Sequence, residues 1–317
     1  MDNDQLPSIK MIKNLSILTF AFLVTFSINL KAQDDDMLKM LDDSVPKKKT
    51  KEYVYATFKG TRLINFHTVE MPGPNSLEFR ISHHFGDLNS GSYNFWGLDG
   101  GASIRLGLEY SKNGRFEVGV GRSSLEKNYD GFLKYKLIKQ TKGPQQPFTI
   151  KLFAGMYYIS MNDPNAEATK IDRYQYQTSR LSYAYQVIIA RKFNSRFSLQ
   201  LSPTMVHYNI VDKLDDKNDL FAVGLATRMK ITKRISLELE YEYRINKYAT
   251  EKFYDAVGLG IDIETGGHVF QVFVTNSAGM IEPQVYGHTT SDWQKMGLKI
   301  GFNISRMFTI VGKKKNK

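Results

Sequence analysis

Apolar and polar residues alternate along most of the chain from about residue 53 to the C-terminus. In residues 235–245 every odd position is apolar or aromatic, and every even position is polar or charged. A β-strand points successive side chains to opposite faces, so this pattern predicts a strand with one apolar and one polar face. As a helix, the same segment would spread its charges around the whole circumference.

The same period of two recurs along the chain. It is clear in residues 77–85, 102–110, 181–189, 257–264 and 296–305. No comparable helical periodicity follows residue 52. The sequence therefore predicts an all-β fold built from antiparallel strands.

A soluble β-sandwich also alternates, but three features favour a single transmembrane barrel. The strands repeat at about ten residues, the length that a tilted strand needs to cross a bilayer. Aromatic residues lie at strand ends, as Tyr110 and Phe116 or Phe193 and Phe197 do, and such girdles are typical of membrane interfaces. Short connections alternate with long ones, as periplasmic turns alternate with outer loops. The short ones are 111–114, 193–196, 232–234 and 265–267, and the long ones are 160–179, 209–219, 246–254 and 276–292.

The number of strands is less directly readable. About thirteen segments qualify, and a barrel with both termini in the periplasm needs an even number. Residues 53–70 are long enough for two strands bent at residues 59–61. Counting them twice predicts about fourteen strands, with twelve as the alternative.

The first 32 residues have the pattern of a cleaved signal peptide. A short basic region, residues 11–13, precedes an apolar run over residues 15–28, and Ala32 offers a small residue for cleavage before Gln33. Translation starts at Met1 or Met11. The pattern predicts export to the cell outer membrane of a Gram-negative bacterium.

Two charged segments flank the predicted barrel, which we place at residues 53–311. Residues 33–52 are predicted to be a flexible periplasmic leader, because they carry too few apolar residues to fold alone. They are also too short for the folded plug domain of a large active transporter. Residues 312–317 form a basic tail.

The amino-acid composition limits the kinds of binding site that the chain can contain. The chain has no cysteine, which excludes a disulfide framework and thiolate metal sites. Its net charge of +11 is dispersed over strands and tails. That distribution fits a lumen lining, or attraction to anionic lipid headgroups, better than nucleic-acid binding.

No motif indicates a cofactor, a metal or catalysis. Gly119 and Gly121 lack the third glycine of a dinucleotide-binding fingerprint. His83 and His84 are adjacent in a strand, so they point to opposite faces and cannot easily share an ion. No recognisable nucleophile motif is present, and we predict that the protein is not an enzyme.

Several segments resemble a β-barrel family of unknown function from the outer membranes of Gram-negative bacteria. They are residues 83–86, 97–100 and 104–110, then 119–123 and 129–136, and finally 300–306. The resemblance runs over most of residues 53–311. It implies the barrel architecture and the location, and it supplies no activity.

The candidate functional residues are the charged residues predicted to face the lumen. They are Arg105, Glu109, Lys134, Lys136, Glu238, Glu240, Glu242 and Arg244. Two function classes remain open. An open, charged lumen predicts a passive pore for small solutes or ions. A lumen packed with paired charges predicts a structural or partner-binding barrel. For such a barrel, the aromatic-rich segment 93–96 offers a contact surface in a loop. Membrane lipid is the expected partner in both cases.

Overall fold

The computed structural model describes residues 51–170, 172–211, 215–246 and 253–310. The predicted signal peptide, nearly all of the predicted leader and the basic tail lie outside these residues. Among the described residues, no helix is both long enough and apolar enough to cross a membrane.

The described residues form twelve strands. They are β1 (Ser76–Asp87), β2 (Ser103–Ser111), β3 (Phe116–Ser123), β4 (Asn128–Ile138), β5 (Thr149–Ile159), β6 (Leu181–Lys192), β7 (Phe197–Tyr208), β8 (Asp219–Lys230), β9 (Ile235–Arg244), β10 (Val257–Thr265), β11 (His268–Thr275) and β12 (Lys299–Thr309). Each pairs antiparallel with its neighbours in sequence, and β1 pairs with β12 to close the barrel. The all-β barrel is confirmed.

The main prediction of fourteen strands is wrong, and the alternative of twelve is correct. The barrel wall begins at Ser76, not at Tyr53. The sequence analysis assigned residues 53–70 to two strands, but residues 57–71 lie inside the barrel, and almost all of them are buried. The length of residues 53–70 misled the count, because length alone does not distinguish two wall strands from a hairpin that the barrel encloses.

The two ends of the barrel differ in their connections. At one end, here called the turn end, tight turns such as residues 193–196 and 266–267 join the strands. At the other end, the loop end, the connections include residues 160–180 and 276–298. In outer-membrane barrels the short turns face the periplasm.

Alternation along each strand separates an apolar outer face from a polar inner face. In β9, Leu237 and Leu239 are exposed on the outside, whereas Glu238 and Glu240 are buried inside. The antiparallel register continues this separation into β10, where Leu259 lies opposite Leu239 and Gly258 lies opposite Glu240. The wall thus presents apolar side chains outward, as contact with lipid requires.

Candidate functional site: the filled lumen

Residues 57–71 form a hairpin inside the barrel, which we call the plug. It is preceded by Val54, whose N–H donates to the Gln140 carbonyl in the turn between β4 and β5, and it leads back into β1. Both ends of the plug therefore lie at the turn end. The tip is closed by hydrogen bonds from the Leu63 N–H to the Phe66 carbonyl and from the Thr68 N–H to the Thr61 carbonyl, both 2.9 Å.

Glu240 of β9 holds the tip of the plug. Its carboxylate accepts hydrogen bonds from three consecutive backbone N–H groups, those of Ile64, Asn65 and Phe66, at 2.9–3.1 Å. The carboxylate is almost completely buried. Charge-assisted bonds to backbone N–H groups are among the stronger hydrogen bonds in proteins, so this contact fixes the depth and orientation of the tip.

A second segment enters from the loop end. Residues 276–289, here called the inner loop, connect β11 toward β12 and are almost entirely buried. The inner loop meets the plug at the centre of the barrel. The Arg62 guanidinium donates to the Met280 carbonyl at 3.2 Å, and the rings of Phe66 and Tyr286 stack with centroids 5.3 Å apart.

The inner loop also brings a carboxylate to the plug. His67 Nε2 lies 3.3 Å from Glu282 Oε1. The other oxygen of Glu282 accepts a hydrogen bond of 2.5 Å from the Tyr157 hydroxyl of β5. Plug, inner loop and wall therefore meet at one carboxylate.

Small residues on the inner wall make room for these segments. Ala184, Ala222 and Ala226 face inward and are buried in the apolar cluster that surrounds the plug. A Cβ atom on Gly224 would lie 2.8 Å from the Tyr286 hydroxyl and 3.0 Å from the Phe66 ring. On Gly258 it would lie 2.9 Å from Ile64 Cδ1. The absence of side chains at these wall positions is what lets the plug and inner loop fit.

A charged cluster lies on the side of β2, β3 and β4. Lys134 lies between Glu109, at 3.3 Å, and Glu117, at 2.5 Å. Arg62 of the plug adds a contact to Glu109 at 3.6 Å. Next to it, Arg105 pairs with both oxygens of Asp130, at 2.9 and 2.6 Å. The cluster is buried, and its charges are offset by partners on neighbouring strands and on the plug.

The structure places the eight candidate residues on the inner side of the wall. Seven are buried, and Lys136, near the turn end of β4, is half-buried. The seven buried residues fall into two groups, which do not pair with each other. Arg105, Glu109 and Lys134 belong to the charged cluster, while the residues of β9 serve the plug and the adjoining wall.

Within β9 only Glu240 binds the plug. Glu238 accepts a hydrogen bond from Gln271 of β11 at 3.2 Å. Glu242 lies 3.5 Å from the guanidinium of Arg244 on the same strand. The acidic residues of β9 thus make three separate contacts: one with the plug, one with β11 and one within β9.

Sequence reasoning missed most of the partners. Glu117, Asp130 and Lys151 lie on inner faces by the same alternation, yet they were not among the candidates. Lys151 donates to the Glu70 carbonyl of the plug at 2.6 Å. The plug itself was assigned to the wall. The available signal was the run of small inward residues in β8 and β10, which indicates that something else fills the lumen.

The two adjacent histidines point to opposite faces of β1. His84 is buried inside and lies 2.9 Å from the Ser277 carbonyl of the inner loop. His83 faces outward and stacks on Phe302. Among the described residues, no group of three or more His, Asp or Glu side chains could hold a metal ion.

Comparison with solved structures returns outer-membrane barrels. The KdgM porin matches with a TM-score of 0.42 and 9% identity, over 74% of this chain and 99% of that one. Omp33 from Acinetobacter baumannii matches with a TM-score of 0.39 and 9% identity, over 76% and 100%. Outer membrane phospholipase A from Escherichia coli matches with a TM-score of 0.41 and 12% identity, over 80% and 95%.

Among curated protein sequences, no protein matches the chain. The family model described as "Membrane bound beta barrel domain (DUF5777)" matches residues 58–308. This range covers the plug as well as nearly the whole barrel wall. The chain belongs to the DUF5777 family of membrane-bound β-barrels and is a protein of the cell outer membrane.

Proposed function

We propose that this protein is an outer-membrane barrel with a closed lumen that serves a structural or partner-binding role, and that it is not a permanently open pore. The observation that carries the proposal is the meeting of the plug and the inner loop at the centre of the barrel. Their side chains are buried there, and an apolar cluster fills one side of the lumen. Solutes would have to displace packed side chains in order to pass.

An exposed aromatic loop supports partner binding at the loop end. Tyr93, Phe95 and Trp96, between β1 and β2, are 94%, 53% and 52% exposed. Phe95 and Trp96 have φ angles of +46° and +49°, a left-handed conformation that is rare for bulky residues. Exposed aromatic residues in a strained loop are typical of contact sites.

A gated channel for small solutes or ions is the second candidate. One observation favours it: both ends of the plug lie at the turn end, so the hairpin can leave the lumen without breaking any strand pairing of the wall. Its deepest anchor, Glu240, is a polar contact that water can replace. The prediction that the protein is not an enzyme stays a prediction.

The two candidates are separated by measuring conductance while the plug is either free or held in place by an engineered disulfide bond. A Cβ atom on Gly258 would lie 3.6 Å from Ile64 Cβ, within the range for a disulfide. The chain has no other cysteine to interfere. The double variant Ile64→Cys/Gly258→Cys would be measured in planar bilayers, oxidised and then reduced, beside the wild type and the single variant Ile64→Cys.

For a closed barrel we expect no conductance from any of these proteins in either redox state. A gated channel would instead show openings in the wild type under both conditions and in the reduced double variant, and no openings in the oxidised double variant. Steady conductance that is insensitive to the lock would contradict both candidates, because ions would then pass beside a fixed plug.

Partner binding is tested in intact cells with a photo-crosslinking amino acid at position 93. We expect a discrete adduct, because this side chain projects from the loop end. The same amino acid at Asn113, exposed in a turn at the opposite end, is the matched control. Absence of an adduct at position 93, or equal adducts at both positions, would contradict binding through this loop.

A further inference from the structure

The outer wall carries an apolar groove at the level of the membrane. It has a volume of about 690 Å³ and runs across β4 to β8. Leu133, Leu152 and Val187 line it, together with the small side chain of Ala154. All four side chains face outward, so this part of the wall is concave toward the lipid.

Pro203 accounts for part of this shape. It lies in the middle of β7 and lines the groove. The pairing of β6 with β7 is interrupted beside it, between the pairs Gln186–Thr204 and Ile189–Leu201. Proline has no N–H to donate to a neighbouring strand, so the ladder opens locally.

A basic side chain lies beyond the groove toward the turn end. Arg191 follows Val187 and Ile189 on the outward row of β6. Its guanidinium lies 5.6 Å from the ring centroid of Phe148 and 5.1 Å from that of Phe193. Aromatic side chains at strand ends mark the headgroup level of the membrane, and they hold this cation there.

The turns at the same end of the barrel as Arg191 are also positively charged. Exposed basic residues occur on three turns of the turn end: Lys112, Arg115, Arg196, Lys233 and Arg234. Their potential attracts anions to the leaflet that these turns face. A guanidinium is also well suited to phosphate, because its planar N–H groups match two phosphate oxygens.

We propose that this wall binds an anionic phospholipid of the periplasmic leaflet, with its phosphate at Arg191 and an acyl chain in the groove. A free phosphate would use the arginine and leave the groove unused, so the combination of the two features selects a lipid. The proposal holds whether the lumen is closed or gated, because the groove lies on the outside of the wall.

The test is native mass spectrometry of the full barrel with phosphatidylglycerol or phosphatidylcholine of identical acyl chains. We expect the wild type to retain phosphatidylglycerol preferentially. Arg191→Gln should weaken this retention roughly tenfold, since a charge-assisted hydrogen bond is lost. Ala154→Phe should also weaken it, by filling the groove.

Arg306→Gln is the matched control. Arg306 faces outward on β12 and lies 5.0 Å from the Phe308 ring, so it has the same cation–π chemistry away from the groove. We expect its substitution to leave retention unchanged. Unfolding temperatures without added lipid would verify that each variant is folded. If Arg191→Gln does not fold, Arg191→Lys, which we expect to retain part of the affinity, replaces it.

Three outcomes would overturn the proposal. Equal retention of both lipids would mean that the headgroup is not recognised. Equal weakening by the Arg191 and Arg306 substitutions would mean that only diffuse charge acts. Retention that Ala154→Phe leaves unchanged would place the lipid outside the groove.

Discussion

At the scale of single residues, the interior of this barrel is organised by carboxylates that bind other protein groups. Glu240 accepts three backbone N–H groups of the plug, and Glu282 joins His67 to Tyr157. A buried carboxylate without such partners would cost on the order of several kcal/mol. These two carboxylates therefore join the inserted segments to the wall and to each other.

Glu240→Gln should lower the free energy of unfolding by about 2 kcal/mol, because a neutral amide replaces the charged acceptor of three N–H groups. Equilibrium unfolding in denaturant measures the change. Glu167→Gln, at an exposed position in the connection between β5 and β6, is the control and should leave stability unchanged. Equal stability of the two variants would mean that Glu240 does not hold the plug.

Leu239→Arg should cost about 2–4 kcal/mol, since it places a charge on the lipid face near the middle of β9. Tyr243→Arg, on the same face but near the loop end of the strand, should cost less, because an interfacial arginine reaches water. Folding titrations in lipid vesicles compare the two. A larger loss for Tyr243→Arg would contradict the assigned depth of β9.

At the scale of elements, the plug and β8 to β10 form a matched pair. The wall has Gly224 and Gly258 where the plug presents Phe66 and Ile64. A run of small inward residues in these strands leaves a shaped space, and close packing makes that space specific for one inserted segment.

Gly224→Val should destabilise the protein by about 1–3 kcal/mol, because the added atoms overlap the Phe66 ring and the Tyr286 hydroxyl. Gly131→Val is the matched control. Gly131 also lies within a strand, but a Cβ there would meet no atom within 4 Å. If both changes have the same effect on the unfolding temperature, the plug does not occupy the space beside Gly224.

At the scale of the whole molecule, the chain forms a wall that faces lipid and an interior that one segment enters from each end. The plug enters at the turn end and the inner loop at the loop end, so each face of the membrane contributes one of the two segments. Residues 53–56 separate the predicted leader, residues 33–52, from the plug in sequence.

Export predicts a shortened mature chain. Mass spectrometry of the protein from the outer-membrane fraction should find an N-terminus near Gln33, because the basic, apolar and small-residue regions of residues 11–32 match the pattern of a cleaved signal peptide. Ala32→Arg should block cleavage while leaving the apolar run intact. A mature protein that retains Met11 would contradict the assigned signal peptide.

The sequence by itself determined the strands and the facing of their side chains. Alternation in residues 235–245 is a local property, since the backbone alone sends neighbouring side chains to opposite faces. The short turns were readable for the same reason, whereas the prediction of an outer loop at residues 276–292 was wrong for residues 276–289, almost all of which are buried inside the barrel. The inward orientation of Glu240 was also readable from the alternation, although the sequence did not indicate what Glu240 binds.

Only the tertiary structure decided the strand number, the pairing of the inner charges and the filling of the lumen. Each depends on contacts between segments far apart in sequence. Glu240 meets residues 64–66, and Arg62 meets Met280, through closure of β1 on β12. Residues 53–70 are long enough for either two wall strands or an enclosed hairpin, and the space left by glycines such as Gly224 and Gly258 placed residues 57–71 inside.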